Sequence, residues 1–364
     1  MKTTLTVAAL AAAPLLAQAG TTLYGSIDAG VTRVSNIGGA GVTRTDSGNM
    51  QPDRIGVRGA EDLGDGYQAV YQLETGYATD TGAQLNPAKL FNRAAYVGLG
   101  SRMGTVTVGR QNNFMFEMVA RQSNGVLTGS FYAFHPGNID DLTNAGAYDN
   151  AVKVVSAPMA GLTLGAMLAP GEQPGDSARN RAFSLGASYV AGQFRAAAAL
   201  SDTRNRSLAL GQSAGVRSLL GRALISGPAT APVYAALATD RVRSVGVSAS
   251  YSAGPALLHA LHVGTSITAG LAGTTMKSSE LGVNWRTGSF TSLNVGLART
   301  TLEGRCWNQL TVNQVYTLSR RTSVYAQALL QRASGNGAVA AINSLGVASG
   351  QRQSAVRLGV HHLF

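Results

Sequence analysis

Cysteine, tryptophan, charge and long apolar runs are all scarce in this 364-residue chain. Cys306 is the single cysteine, which excludes an intrachain disulfide and a thiolate metal site. Only 13% of the residues are charged, which argues against the dense charged surface of a soluble enzyme of this length. Beyond residue 19 no stretch approaches the roughly 20 apolar residues that a membrane-crossing helix requires. Helical insertion in a bilayer is excluded with it.

What takes the place of charge is glycine, 45 residues of it, with hydroxyls, Gln and Asn. That composition suits a structure whose polar face lines water and whose apolar face meets lipid. Residues 1–19 have the parts of a secretory signal: Lys2, an apolar core over 5–16, and Ala17-Gln18-Ala19 as a small-x-small cleavage site. Residues 20–364 then form the mature domain. Loss of Lys2 takes the formal charge from +11 to +10. The excess is mostly arginine, spread without a run, and an exported chain rarely meets nucleic acid. It reads instead as a field inside a pore or a rim facing lipopolysaccharide.

Alternation is the dominant pattern. In the final segment, Val356, Leu358, Val360 and His362 recur at every second position and lead to Phe364. Such an ending predicts closure against the first strand and a C-terminal signal, at Phe364, for the outer-membrane assembly machinery. Sixteen alternating segments can be traced from 21–34 to 352–364, an even number. Short connections alternate with longer ones, among them 35–51, 112–148, 202–239, 266–276 and 301–305. That polarity fits a transmembrane barrel with tight periplasmic turns and is not expected of a soluble sandwich. Tyr67, Tyr189, Phe194, Tyr251, Trp285 and Phe364 share the apolar parity beside short turns or the terminus, as an interfacial girdle would.

Catalytic patterns are few. His259 and His262 are three apart on a strand and diverge, as do His361 and His362, so neither pair shares a metal. Gly335-Asn336-Gly337 lacks the strand-to-helix setting of a phosphate loop. No serine elbow is present, and no base is placed to activate a nucleophile. No cofactor or metal is expected, although barrel hydrolases form an alternative class. The aromatic-rich connection 112–148 needs packing partners. It is expected to fold into a wide barrel as the third outer loop, with an external cap or protomer contact as the alternative. Inward parity places Arg54, Arg58, Lys153 and Arg357 on the lumen wall, and closure would bring Arg357 near Arg54 and Arg58. Glu117, Asp140 and Asp141 would form an opposing acidic edge.

Five segments in order carry a resemblance: TLYGSIDAG at 22–30, RIGVRGAEDLGDG at 54–66, NRAAYVGLGSRMGTVTVGRQ at 92–111, DNAVKVVSAPMAGLTLGAM at 149–167, and the terminal Phe364. Together they resemble the Gram-negative general porins, particularly the trimeric subfamily typical of β-proteobacteria. The resemblance implies a sixteen-stranded antiparallel barrel with an inward-folded third loop, and constriction arginines at Arg54 and Arg93, with Arg110 entering the loop. It also implies a homotrimer. Ala147 departs from the arginine that the family often carries there. Arg93 shares parity with outward Val97 and Leu99, which a bulge between 93 and 97 would reconcile. The expectation is a water-filled channel passing ions and small hydrophilic solutes across the outer membrane with modest anion preference. A closed or plugged barrel serving adhesion or structure is the competing class.

Overall fold

The alternating segments fold as strands in a computed structural model that describes residues 20–143, 147–228 and 231–364. The expected signal, 1–19, lies outside the described residues. Seventeen strand segments form one sheet. Two of them, Ala40–Ser47 and Arg54–Gly64, follow one another against the first strand, Thr22–Ile37. They share one position, so the antiparallel barrel has sixteen. The last strand, Arg352–Leu363, closes it, pairing from Ser26↔Leu363 to Val34↔Ala355. Gly25 and Phe364 exchange backbone hydrogen bonds of 3.0 and 3.2 Å. The Phe364 ring lies over Gly25, where a Cβ would sit only 2.1 Å from it.

Three outer connections are tighter than the sequence pattern implied. Segment 35–51 is no loop: Gly38 and Gly39, at φ 60° and 109°, turn the chain straight back into Ala40–Ser47. Gly48 at φ 69° and Pro52, which has no N–H for a ladder, then interrupt the strand before Arg54. Likewise 266–276 is nearly all strand, joined at Gly270 and Leu271. At 301–305 the turn is Glu303-Gly304, both at positive φ, as a two-residue hairpin requires. Strict alternation of short turns and long loops therefore fails at these ends, because a glycine-centred hairpin turn needs no extra residues.

Side-chain parity follows the expected division. Val356, Leu358 and Val360 are at least half exposed, whereas Ala355 and Arg357, on the alternate parity, are buried. All six girdle aromatics are exposed. On the inward face, Gly165, Gly186, Ala199 and Gly246 pair across successive strands at one level. This lane without bulky side chains receives Phe114, Met115, Met118 and Val119 of the 112–143 segment. A Cβ on Gly165 would come within 2.3 Å of the Phe114 ring, so glycine here serves close approach.

At the outer end the inward parity is not polar throughout. Val242, Ile267, Met276, Leu302 and Trp307 are covered by Leu208, Leu210, Leu219, Leu224 and Leu237 from the connection between strands Phe194–Arg204 and Arg241–Ala253. Trp307 Nε1 donates to Val339 O at 2.9 Å. One side of the outer mouth is thus packed with apolar side chains, and the open space lies toward the N-terminal strands.

Candidate functional site

Strands 54–64 and 67–76 bring Arg54, Arg58, Gln72 and Glu74 to the inward face by period-two alternation. Tyr24 joins them from the first strand, donating to Glu74 Oε2 at 2.8 Å and accepting from Gln72 Nε2 at 2.6 Å. Glu74 is shared: Arg93 Nε lies 2.7 Å from Oε1, and Arg54 Nε 3.6 Å from Oε2. Arg58 stacks over the Tyr24 ring at 5.0 Å. Arg54 is further held by Gln51 Oε1 at 3.0 Å. The result is a fixed arginine wall.

Arg93 gets there without a bulge. Its strand begins only at Ala94, and the pairing from Glu74↔Ala94 onward has no register shift. Alternation therefore does not govern residue 93, and its carboxylate partner turns it inward. Opposite the wall, Phe114–Glu117 and 119–122 present Phe116, Glu117 and Arg121. Glu117 Oε1 accepts from Lys153 Nζ at 2.7 Å, and Arg121 stacks on Phe116 at 5.9 Å. Wall and segment enclose a space of about 820 Å³ that Tyr24, Arg54, Arg58, Glu74, Arg93, Glu117 and Arg121 all line. Its charged side chains are four arginines and two glutamates, an excess of two positive charges.

Other expected site residues lie elsewhere. Arg357 is buried; its Nη2 bonds Asp28 Oδ1 at 2.9 Å, its Nη1 pairs with Asp46, and its Nε reaches Tyr325 at 2.7 Å. It does not approach Arg54. Arg357 is opposite Thr32 and Arg54 opposite Ser26, which separates them by roughly 20 Å along the first strand. Arg110 bonds Asp149 at 2.7 Å and the Asn92 carbonyl at 2.8 Å, away from the space just described. Asp140 and Asp141 are buried anchors, not an acidic edge. Asp141 accepts from Arg206 and Ser201 at 2.7 Å and from Asn113 and Tyr148 at 3.1 Å.

Asp140 pairs with His135, whose Nε2 is 2.9 Å from Glu280 Oε1, an ion-pair distance without hydrogen-bond alignment. Burial alone would lower the His135 pKa; the Asp140 and Glu280 carboxylates reverse that and raise it to about 10. Glu74, Tyr24 and Gln72 were missed by the sequence reading, although their inward parity was visible. Arg121 lies in a non-repeating segment and gave no signal. His259 is buried and His262 exposed, and among the described residues no His, Cys, Asp and Glu group could hold a metal.

The family model described as Gram-negative porin matches residues 4–336. The chain belongs to the Gram-negative porin family. An outer membrane porin protein of Bordetella pertussis is 33% identical over 186 residues, 45% of this chain and 47% of that one. The major outer membrane protein P.IB of Neisseria gonorrhoeae is 30% identical over 200 residues, 52% and 53% of the two chains. This porin thus spans about half the length of the curated relatives it matches. Its fold is similar to the anion-selective porin from Comamonas acidovorans, with TM-score 0.78 and 20% identity over 95% of this chain and 100% of that one. A trimer form of OmpT from Vibrio cholerae gives TM-score 0.67 at 13% identity, covering 95% and 99%. Relatives and family place the porin in the Gram-negative outer membrane.

Proposed function

We propose that this porin forms a water-filled channel for passive diffusion of ions and small hydrophilic solutes, preferring anions modestly and having no enzymatic role. The third outer loop, folded inward, makes the constriction, and residues 1–19 are removed on export. The observation that carries the reading is the excess of arginine over glutamate around the 820 Å³ space. Charges fixed around a narrow aqueous passage raise the local concentration of counter-ions, and low-dielectric walls focus that field. Arg54, Arg58 and Arg93 on the wall face Glu117 on the loop, so a transverse field also orients dipolar solutes. The fold likeness to an anion-selective porin agrees with this sign.

The porin acts as a homotrimer. Outward Ala187, Ala196 and Ala198 leave parts of the wall smooth enough for close approach, and one solved relative of similar fold is a trimer form. Planar-bilayer recording tests the channel. Ohmic steps in groups of three, with a reversal potential of anion-selective sign in a KCl gradient, are expected. Silence of pure trimer, or cation selectivity, overturns the reading.

A further inference from the structure

The 820 Å³ space beside the arginine wall is not polar on every side. Phe116, Val126 and Phe131 border it from the 112–143 segment, and Val126 is 39% exposed. Phe116 and Phe131 are half-buried. Apolar groups left facing an aqueous space cost free energy. A concavity of this size with an apolar face and a few convergent charges is the form a small-molecule site takes.

Both rings are held in place before any solute arrives. Phe131 N donates to Asn49 O at 2.7 Å, and its ring packs edge-on against Phe134 with centroids 5.5 Å apart. The Asn113 side chain accepts from Phe116 N at 3.1 Å, and Arg121 lies over the Phe116 ring. The cations around the space are short of acid. Glu74 alone serves Arg54 and Arg93, and Glu117 is taken by Lys153. Arg121 donates through Nε to the Glu117 carbonyl at 3.2 Å and is paired with no carboxylate among the described residues.

We propose that this space selects aromatic carboxylates. The carboxylate is held by the wall arginines and Arg121, and the ring lies against Phe116 and Phe131. Guanidinium groups bind carboxylate in a bidentate manner, and a flat ring stacks on phenylalanine and on guanidinium alike. A saturated ring buries similar area without stacking, and acetate satisfies the charge while leaving the apolar face wet. A neutral ring leaves the arginines without an anion. Binding stays weak enough for the solute to leave, as conduction requires. The site rests on the channel reading given above.

The test is planar-bilayer recording of the full porin in KCl, titrated with benzoate, cyclohexanecarboxylate, acetate or benzyl alcohol, with the concentration that half-blocks the current as readout. Benzoate should half-block on the order of thirtyfold below acetate and about fivefold below cyclohexanecarboxylate. Phe116→Leu keeps an apolar side chain and loses the stacking. It should bring benzoate within about twofold of cyclohexanecarboxylate and leave acetate unchanged. Arg121→Gln should weaken block by benzoate and acetate together, and Arg110→Gln, away from the space, should change neither. If Phe116→Leu does not fold, Val126→Ser at its exposed position should raise the benzoate value about threefold and spare acetate. Equal block by cyclohexanecarboxylate, or by benzyl alcohol, overturns the proposal. An anion-selective current that benzoate and acetate block alike overturns it and leaves the channel reading standing; silence or cation selectivity overturns both.

Discussion

Arg54 and Arg357 are both inward arginines, and their neighbours give them opposite consequences. Arg357 has two carboxylates, a hydroxyl and a phenol around it and no water-filled space beside it. Removing one member of such a buried cluster strands the others. Arg357→Met should therefore lower unfolding stability by about 3–5 kcal/mol, read from denaturant titration, and leave the KCl reversal potential where it was. A shifted potential at unchanged stability would refute this. Arg54 and Arg93 share Glu74 but line the open space. Arg54→Ala should move the reversal potential toward zero. Arg93→Ala should move it further, since Glu74 then loses its 2.7 Å partner. The effect should fade as salt rises and the Debye length falls below about 10 Å.

At the scale of elements, the proposed constriction depends on how segment 112–143 is held. Packing holds it at one end, where the glycine lane admits Phe114 and Met115. Gly186→Val would put a branched side chain where Phe114 Cβ and Met118 Sδ now lie. It should lift the segment and raise single-channel conductance; an unchanged conductance with intact fold would count against that seating. Charge holds the segment further along, through His135 between Asp140 and Glu280. The folded pKa of His135 is raised from 6.5 to about 10, so its contribution is complete below pH 6.5 and is lost as pH climbs through 10. Thermal stability should decline over that alkaline interval. His135→Gln should flatten the dependence, as a melting series across pH would reveal.

For the molecule as a whole, the barrel is asymmetric inside. An apolar plug fills the outer mouth on the side of Trp307 and Ile267, while the arginine wall borders open space on the other. Trp307→Ala removes a large buried side chain and a hydrogen bond to Val339. It should cost about 3–5 kcal/mol with selectivity intact, because the plug and the constriction share no charged group. A changed reversal potential in that variant would mean that the plug shapes the ion path.

The strand count, inward and outward parity and the interfacial aromatics were legible from the sequence, because a strand's side chains alternate whatever it pairs with. The arginines at 54 and 58 and Glu117 could be named for the same reason, or from the loop that carries them. Connections were harder to read: a polar, glycine-rich stretch such as 266–276 looks like a loop, yet a two-residue turn at Gly270 lets the strands continue to its edges. Tertiary structure alone decided which inward cations meet water. Arg357 and Arg54 have the same parity and charge, and only the carboxylates of Asp28 and Asp46, brought in from strands far away in the chain, bury one and leave the other beside the open space. Pairing across 311 residues or more is set by barrel closure, which no local pattern encodes.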